Sequence, residues 1–365
     1  MLASRLRETQ EVSQDVGWSG AGGAMNAAAG RRPTLADVAA LSGMSRAAVS
    51  MILNDRPGSR LSAEAAERVR AAAEELGYRP HPAAQSLRLG TTKTIGFISD
   101  EVTITRFASG MIRGVLDSAK AHDHTVLMAE TGGDPESLRE SVETMVDRRV
   151  DGIIVGLMVA RMIDLPKVRH RVPLVVVNGT SSREHPSVLP AEREAGSAVA
   201  RHLVEYGHRR IGIVGELPDV IADPRRTVTI GERFEGIDAV LAGAGIDAPR
   251  APMQNWNPAD AFTLATRMLE SAPGLTALIA GNDRVAFGIY QAMAERGLKV
   301  AEDVSVISFD DEELADYQRP GLTTARLPYE EMARRGVEML IGDRELAHER
   351  VPMPLIMRES VRELR

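Results

Sequence analysis

PTLADVAALSGMSRAAVSMILN, residues 33–54, holds two short helical patterns separated by a glycine. Thr34 stands before Leu35, Val38 and Leu41, apolar residues at 3/4 spacing, and Asp37 is placed to answer it across the first turn. A first helix therefore has a cap and an acid at its positive end. Ser42-Gly43-Met44 breaks the pattern, because glycine takes positive φ at little cost. Ser45 can then cap a second helix whose buried face is Ala48, Val49 and Ile52 or Leu53. In a helix-turn-helix the N-terminal residues of the second helix reach base edges. That leaves Arg46, Ala47, Ser50 and Met51 outward, with Asn54 at the end, and Arg46 as the first candidate base reader. A helical hairpin that does no more than pack carries the same local signature, so the choice rests on what surrounds it.

The surrounding charge favours a nucleic-acid partner for this part of the chain. Residues 31–92 carry nine arginines against six acids, about +3, which leaves about −10 for the rest of a chain of formal net charge −7. Clustered arginine makes phosphate contacts whatever the total charge, and an acidic body avoids DNA. At 365 residues the chain suits two or three domains with ample core. It has no cysteine, which excludes disulfides, thiolate zinc sites and cysteine nucleophiles. No apolar run reaches the ~18–20 residues of a membrane span and the first 30 residues lack an apolar signal core, so a cytoplasmic, nucleoid-associated protein is expected.

Residues 1–30 are rich in Gly, Ala, Ser and Gln and read as a disordered extension, with Met25 a second candidate start. The head spans 31–78: after the loop Asp55-Arg56-Pro57-Gly58, Ser62 caps a third helix through Ala65, Val69, Ala72, Ala73 and Leu76, ended by Gly77. Residues 79–91 form a linker, in which two prolines stop the helix and Ala83 to Leu89 can start another before Gly90. From Thr94 apolar strands alternate with amphipathic helices, twice over: strands at 95–98, 125–128, 152–157 and 174–177, then at 211–214, 277–280 and 304–309. This is βαβ grammar, two Rossmann-like parallel sheets with a cleft between them. The core is expected over 92–365, with lobe 1 at about 92–190 plus 328–345 and lobe 2 at about 191–327 plus 346–365.

In order and spacing the chain resembles the lactose-repressor (LacI/GalR) family of bacterial transcription regulators over residues 33 to about 360. The head resembles that family's helix-turn-helix, LGYRPHPAAQSLRLG its linker and hinge helix, and TIGFI the opening of its first lobe. LVEYGHRRIGIVG (203–215), RFEGIDAVLAGAGI (233–246), ALIAGNDRVAFGIYQAMAERGLKVAEDVSVISFDD (277–311) and PGLTTARLPYEEMARRGVEMLI (320–341) resemble its body. The resemblance implies a periplasmic-binding-protein-like α/β core behind a small all-α head. It implies a homodimer on a palindromic operator, with a tetramer left open. It assigns base contact to Arg46 and Ala47, backbone contact to Ser45, Ser50 and Asn54, and an apolar contact to Met51, where many relatives carry Arg or His, and it counts Thr34 among the DNA-binding residues. Leu87 would wedge the minor groove, and Gln85 and Arg88 would touch phosphate or sugar.

Between the lobes the resemblance implies a small-molecule effector, commonly a sugar or sugar phosphate and occasionally a purine, held by Asn178, Arg233, Trp256, Asn282 and Asp310. Phe107 and Arg106 would stand in a strand-to-helix loop at the cleft. The chemistry agrees, because sugar hydroxyls both donate and accept and Trp256 offers a flat face. Each residue also has a plainer role: Asn282 could cap the next helix, Asp310 could end its strand and Trp256 could be core. At Leu189-Pro190-Ala191-Glu192-Arg193 the family usually has an aspartate, and Ala191-Glu192 departs from it.

No phosphate-binding Gly-rich loop, H-E-x-x-H or G-x-S-x-G occurs, so no enzyme, cofactor or metal is expected. His122-Asp123-His124 is the one metal-like cluster and lacks further ligands. A two-lobed body alone would also suit a transporter's solute-binding protein, against which stand the basic head and the absence of an export signal.

Overall fold

The computed structural model describes residues 33–54, 61–79, 90–101, 108–167 and 172–364. The chain divides into two compact units, Met1–His81 and Pro82–Arg365.

In the first, helices α1 (Leu35–Ser42), α2 (Arg46–Leu53) and α3 (Ala63–Glu75) form where their caps require. The Asp37 carboxylate accepts both the N–H and the hydroxyl of Thr34, each at 2.7 Å. Ser45 and Ser62 accept the N–H groups of Ala48 and Ala65, both at 3.2 Å. Gly43, at φ 68°, makes the turn and sets α1 and α2 at 104°. Val38, Ala39, Val49, Ile52, Val69, Ala72 and Ala73 close into one core, while Leu53 stays half-buried at its margin. Each buried aliphatic contributes at most ~1.5–3 kcal/mol, so this small domain rests on a handful of side chains.

The second unit carries, among the described residues, two six-stranded sheets. The first contains β1 (Thr94–Ser99), β2 (Thr125–Glu130), β3 (Gly152–Ile163), β4 (Leu174–Ser181), β5 (Ser187–Pro190) and β11 (Glu349–Val351), in the order β11-β5-β4-β3-β1-β2. The second contains β6 (Ile211–Val214), β7 (Arg250–Ala251), β8 (Ala277–Ala280), β9 (Ser305–Asp310), β10 (Thr323–Arg326) and β12 (Leu355–Ile356), in the order β12-β10-β9-β8-β6-β7. All pairings are parallel except that of β10 with β12.

Runs such as Ile153-Ile154-Val155 and Ala277 to Ala280 are apolar throughout because helices cover both faces. On the first sheet, α4 (Ala108–Ala121) and α12 (Tyr329–Ile341) share one face, with Met111, Val115, Met332 and Val337 in a common core. Met145 and Val142 of α5 (Pro135–Asp147) fill the other. On the second sheet, α9 (Pro258–Ser271) and α10 (Asp283–Glu295) cover one face, α6 (Glu192–Glu205) and α8 (Ile230–Gly243) the other. Helices α6 and α8 meet backbone to backbone: a Cβ added at Gly196 would strike the carbonyl of Arg233, and one at Gly236 that of Arg193. A one-turn α7 (Pro218–Ile221) and the short α11 (Glu313–Tyr317) complete the helices described.

One boundary differs from expectation. The sequence places residues 346–365 in lobe 2, yet Glu349–Val351 pair with Val188 to Pro190 in the first sheet, so the chain returns to lobe 2 only after Val351. Glu-Arg-Val has no strand signature of its own and is recruited by an edge some 160 residues away in sequence. Strand β3 also outruns its expected end at Leu157. After a register break its last residues pair with Gly179 to Ser181, and it reaches the other lobe, where Ala160 O accepts the Val228 N–H at 2.7 Å and the Met162 N–H donates to Pro224 O at 2.8 Å.

Candidate ligand cavity and nucleic-acid interface

The carboxyl ends of β3, β4, β8 and β9 open on a cavity of about 610 Å³, the position where parallel sheets hold ligands and a size suited to a small molecule. Asn178, Arg233, Trp256, Asn282 and Asp310 all line it, so the structure brings together five side chains spread over 133 positions of sequence.

Arg233 is the centre of the polar floor and is 1 % exposed. Its Nε donates to Glu192 Oε2 at 2.7 Å and its Nη2 to Glu192 Oε1 at 2.8 Å, a side-on bidentate pair. Nη2 also donates to Asp310 Oδ1 at 3.2 Å and Nη1 to Gly281 O at 2.5 Å. The guanidinium lies 4.4 Å over the Phe309 ring and 5.4 Å from that of Trp256. Burial pushes the Glu192 carboxyl upward and the guanidinium pulls it back. Because both Glu192 oxygens accept N–H groups, the pair is ionised. Burial opposes the charge on Arg233, yet the facing carboxylates outweigh it and hold the guanidinium protonated.

Asn282 performs its plainer role and another. Its Oδ1 accepts the Val285 N–H at 3.1 Å, capping α10, and its Nδ2 donates to Asp310 Oδ2 at 3.3 Å. Asp310 does more than end its strand: at φ 100° its backbone is strained to aim both oxygens inward. Trp256 is half-buried and lines the cavity, its Nε1 donating to Gly215 O at 2.7 Å.

From lobe 1, Asn178 sits at φ 56° and donates to Leu157 O at 2.8 Å. Its Oδ1 is buried with no partner among the described residues, as is the hydroxyl of Thr229 on the opposite side. Tyr329 lines the cavity and donates to Met158 O at 2.7 Å. Phe107 and Arg106 lie outside the described residues. Sequence reasoning missed Glu192, Thr229 and Tyr329 as cavity residues. Only Glu192 had left a trace, as the departure beside Ala191.

In the head, Arg46 and Ala47 are exposed on the first turn of α2, and Ser50 and Met51 are half-buried. Ser45 is spent on its cap, and Asn54 Nδ2 donates to Ser50 O at 2.6 Å, closing the helix end. Thr34 is exposed with its hydroxyl turned to Asp37. Gln85, Leu87 and Arg88 lie outside the described residues.

The chain enters lobe 1 through a tether. The Asp151 carboxylate accepts the Thr91 hydroxyl at 2.5 Å, the Thr92 N–H at 2.8 Å and the Thr92 hydroxyl at 3.2 Å. His124 Nε2 stands 3.4 Å away. Burial raises the Asp151 carboxyl, but the hydrogen bonds from Thr91, Thr92 and Thr94 outweigh it and leave it below the ordinary range. The histidine pair flagged in the sequence is thus occupied locally: His122 Nδ1 donates to Ser118 O and His124 Nδ1 to His122 O.

Residues 34–81 match the model of bacterial regulatory proteins of the lacI family, and residues 200–361 that of the periplasmic binding protein-like domain. The chain is 31% identical over 320 residues to the HTH-type transcriptional repressor PurR of Vibrio atlanticus, covering 84% of this chain and 91% of that one. It is 31% identical over 316 residues to the ribose operon repressor of Escherichia coli, covering 84% and 92%. Among solved structures, a LacI-family transcriptional regulator from Rhizobium etli gives a TM-score of 0.66 at 29% identity, covering 74% of this chain and 99% of that one. The lac repressor dimer bound to operator and the anti-inducer ONPF gives 0.71 at 24% identity, covering 91% and 100%, a likeness of fold.

Proposed function

The chain belongs to the lacI family of bacterial regulatory proteins, and from that premise we propose that its cavity takes a sugar or sugar derivative while α2 reads a palindromic operator. It is a DNA-binding transcriptional repressor, not an enzyme, whose hold on DNA is governed by a small molecule. The sugar reading is carried by one observation: Asp310, Arg233, Asn178 and Trp256 converge on a single cavity. Carboxylate acceptors, a guanidinium and amides around a ring-stacking surface are what a polyhydroxylated ring requires.

On the DNA side, the exposed Arg46 and Ala47 read the major groove, with Thr34, Ser45, Ser50, Met51 and Asn54 around them. Leu87 with Gln85 and Arg88 engages the minor groove from a hinge within 79–91. A homodimer places two such heads on one operator. Supporting it, Leu127 and Met128 on the edge strand β2 and Leu116 on the adjacent α4 are exposed, apolar area along a sheet edge that a second copy would cover. Such a protein works in the cytoplasm, on the nucleoid.

Effector binding biases how the lobes close, and ~1–3 kcal/mol of coupling changes operator affinity about 5- to 150-fold. Two measurements test this reading. Operator fragments from the chain's own upstream region are titrated at several salt concentrations; affinity indifferent to both sequence and salt ends the DNA reading. A thermal-shift screen of sugars then reports the effector, which at 100 times its Kd adds about 2.7 kcal/mol. A hit whose shift survives both Asp310→Ala and Arg233→Ala rules out the cavity.

A further inference from the structure

Arg233 looks at first like a receptor for an anion, such as the phosphate of a sugar phosphate. Its hydrogen bonds say otherwise. Nε, both N–H groups of Nη2 and one of Nη1 are taken by Glu192, Asp310 and Gly281 O, so one N–H of five is left for a ligand. Two buried carboxylates face one buried guanidinium, 2 %, 8 % and 1 % exposed respectively, so the floor of the cavity carries net negative charge. The remaining charged lining residues do not reverse this: Arg226 and Arg284 are exposed, and two further carboxylates, Glu101 and Glu312, line the same cavity. Lobe 1 adds an acceptor, Asn178 Oδ1, which has no partner among the described residues.

We propose that Glu192 sets the charge preference of the effector site: by occupying the Arg233 fork it excludes anionic ligands and selects a neutral or cationic, donor-rich molecule, such as an unphosphorylated sugar or an amino sugar. Glu192 acts here as a positioning and specificity residue, since it fixes Arg233 and cancels its charge. Without it, the same cavity would present an unspent bidentate donor to an anion. The inference rests on the cavity being the effector site.

Inorganic phosphate is the probe that isolates the charge question from the identity of the effector. Trp256 is one of two tryptophans, the other being Trp18, and reports from the cavity itself. The full-length protein is titrated with phosphate and followed by tryptophan fluorescence and thermal shift, alongside Glu192→Gln. The wild type is expected to be silent to phosphate, and Glu192→Gln to bind it about ten- to a hundredfold more tightly. Should Glu192→Gln fail to fold, Asp310→Asn removes the other carboxylate, keeps the Glu192–Arg233 pair, and is expected to gain phosphate binding in the same direction.

A matched set of ribose, ribose 5-phosphate, glucose, glucose 6-phosphate and glucosamine runs in parallel. Tighter binding of a phosphorylated member than of its neutral counterpart overturns the proposal, as does phosphate binding by the wild type that equals the variant's. If no sugar binds yet the phosphate response appears only on removing a carboxylate, the charge inference stands and the sugar reading falls.

Discussion

Replacing Asp151 by alanine removes the carboxylate that tethers Thr91 and Thr92 to lobe 1, where the chain enters the core. The side chain is 17% exposed, so its hydrogen bonds are partly shielded from water. A hydrogen bond to a charged group contributes ~1.5–3 kcal/mol, and the two short ones, from the Thr91 hydroxyl and the Thr92 N–H, dominate. The longer contacts at 3.2 and 3.4 Å add little. Rehydration of the freed groups reduces the total to about 2–3 kcal/mol. A comparable figure follows from backbone entropy, since re-ordering two residues on DNA costs ~1–2 kcal/mol each. Operator affinity is therefore expected to fall about 30- to 150-fold at fixed salt. Fluorescence anisotropy with labelled operator measures it, and amide exchange at Thr92 reports the loss of the tether directly. Operator affinity within twofold of wild type, in a variant whose Thr92 amide exchanges freely, would refute the argument: the entry segment would then contribute nothing to DNA binding.

Other changes reach other parts of the molecule. Arg46→Ala is expected to relax base preference at one position per half-site, costing ~1–3 kcal/mol on the preferred base, as read by competition among single-base operator variants. Tyr329→Phe removes the hydroxyl that donates to Met158 O at 2.7 Å in a buried site, and should lower stability by ~1–2 kcal/mol in denaturant titration. Glu331 is held at about 2 by hydrogen bonds from Arg334 and Arg335, burial opposing them. A carboxyl depressed on folding stabilises above its ordinary value and loses that contribution as the pH falls toward 2. Its side chain is 35% exposed, which screens the effect to ~1 kcal/mol or less. Glu331→Gln should flatten the stability profile between pH 4.5 and 2, and an unchanged acid limb would show the ion pairs to be idle there.

Local grammar was legible in the sequence wherever a few neighbouring residues decide the outcome. Ser45 and Ser62 cap the helices they announce, Ala48, Val49 and Ile52 form the buried face, and residues 277–280 are the strand that their apolar run implies. Of the cavity residues carried over from the family, Asn178, Arg233, Trp256, Asn282 and Asp310 line one cavity, while Phe107 lies outside the described residues. What stayed hidden is non-local. Glu192 and Arg233 are 41 positions apart, and the pairing follows from two helices meeting at Gly196 and Gly236, which no pattern near either residue displays. Strand β11 exists because β5 offers it an edge, not because Glu349 to Val351 favour extension. Asn282 shows a third limit: its cap was readable, but its hold on Asp310 depends on where β9 ends.

The close contact of α6 and α8 has a consequence for how this regulator could diverge. Glu192, Arg233 and Asp310 all belong to the second lobe, locked to one another by that helix pair and by Asn282. Asn178 and Tyr329 belong to the first. Any hinge motion of the lobes carries the charged trio as one rigid piece and alters only its separation from the opposite wall. The buried charges that discriminate ligands thus sit together in one half of the molecule, with Glu101 added from the other, while the size and reach of the ligand are measured between halves. Substitutions on the two sides that do not touch should combine additively, so descendants of this chain could change the length of the molecule they answer to without changing its charge, one mutation at a time.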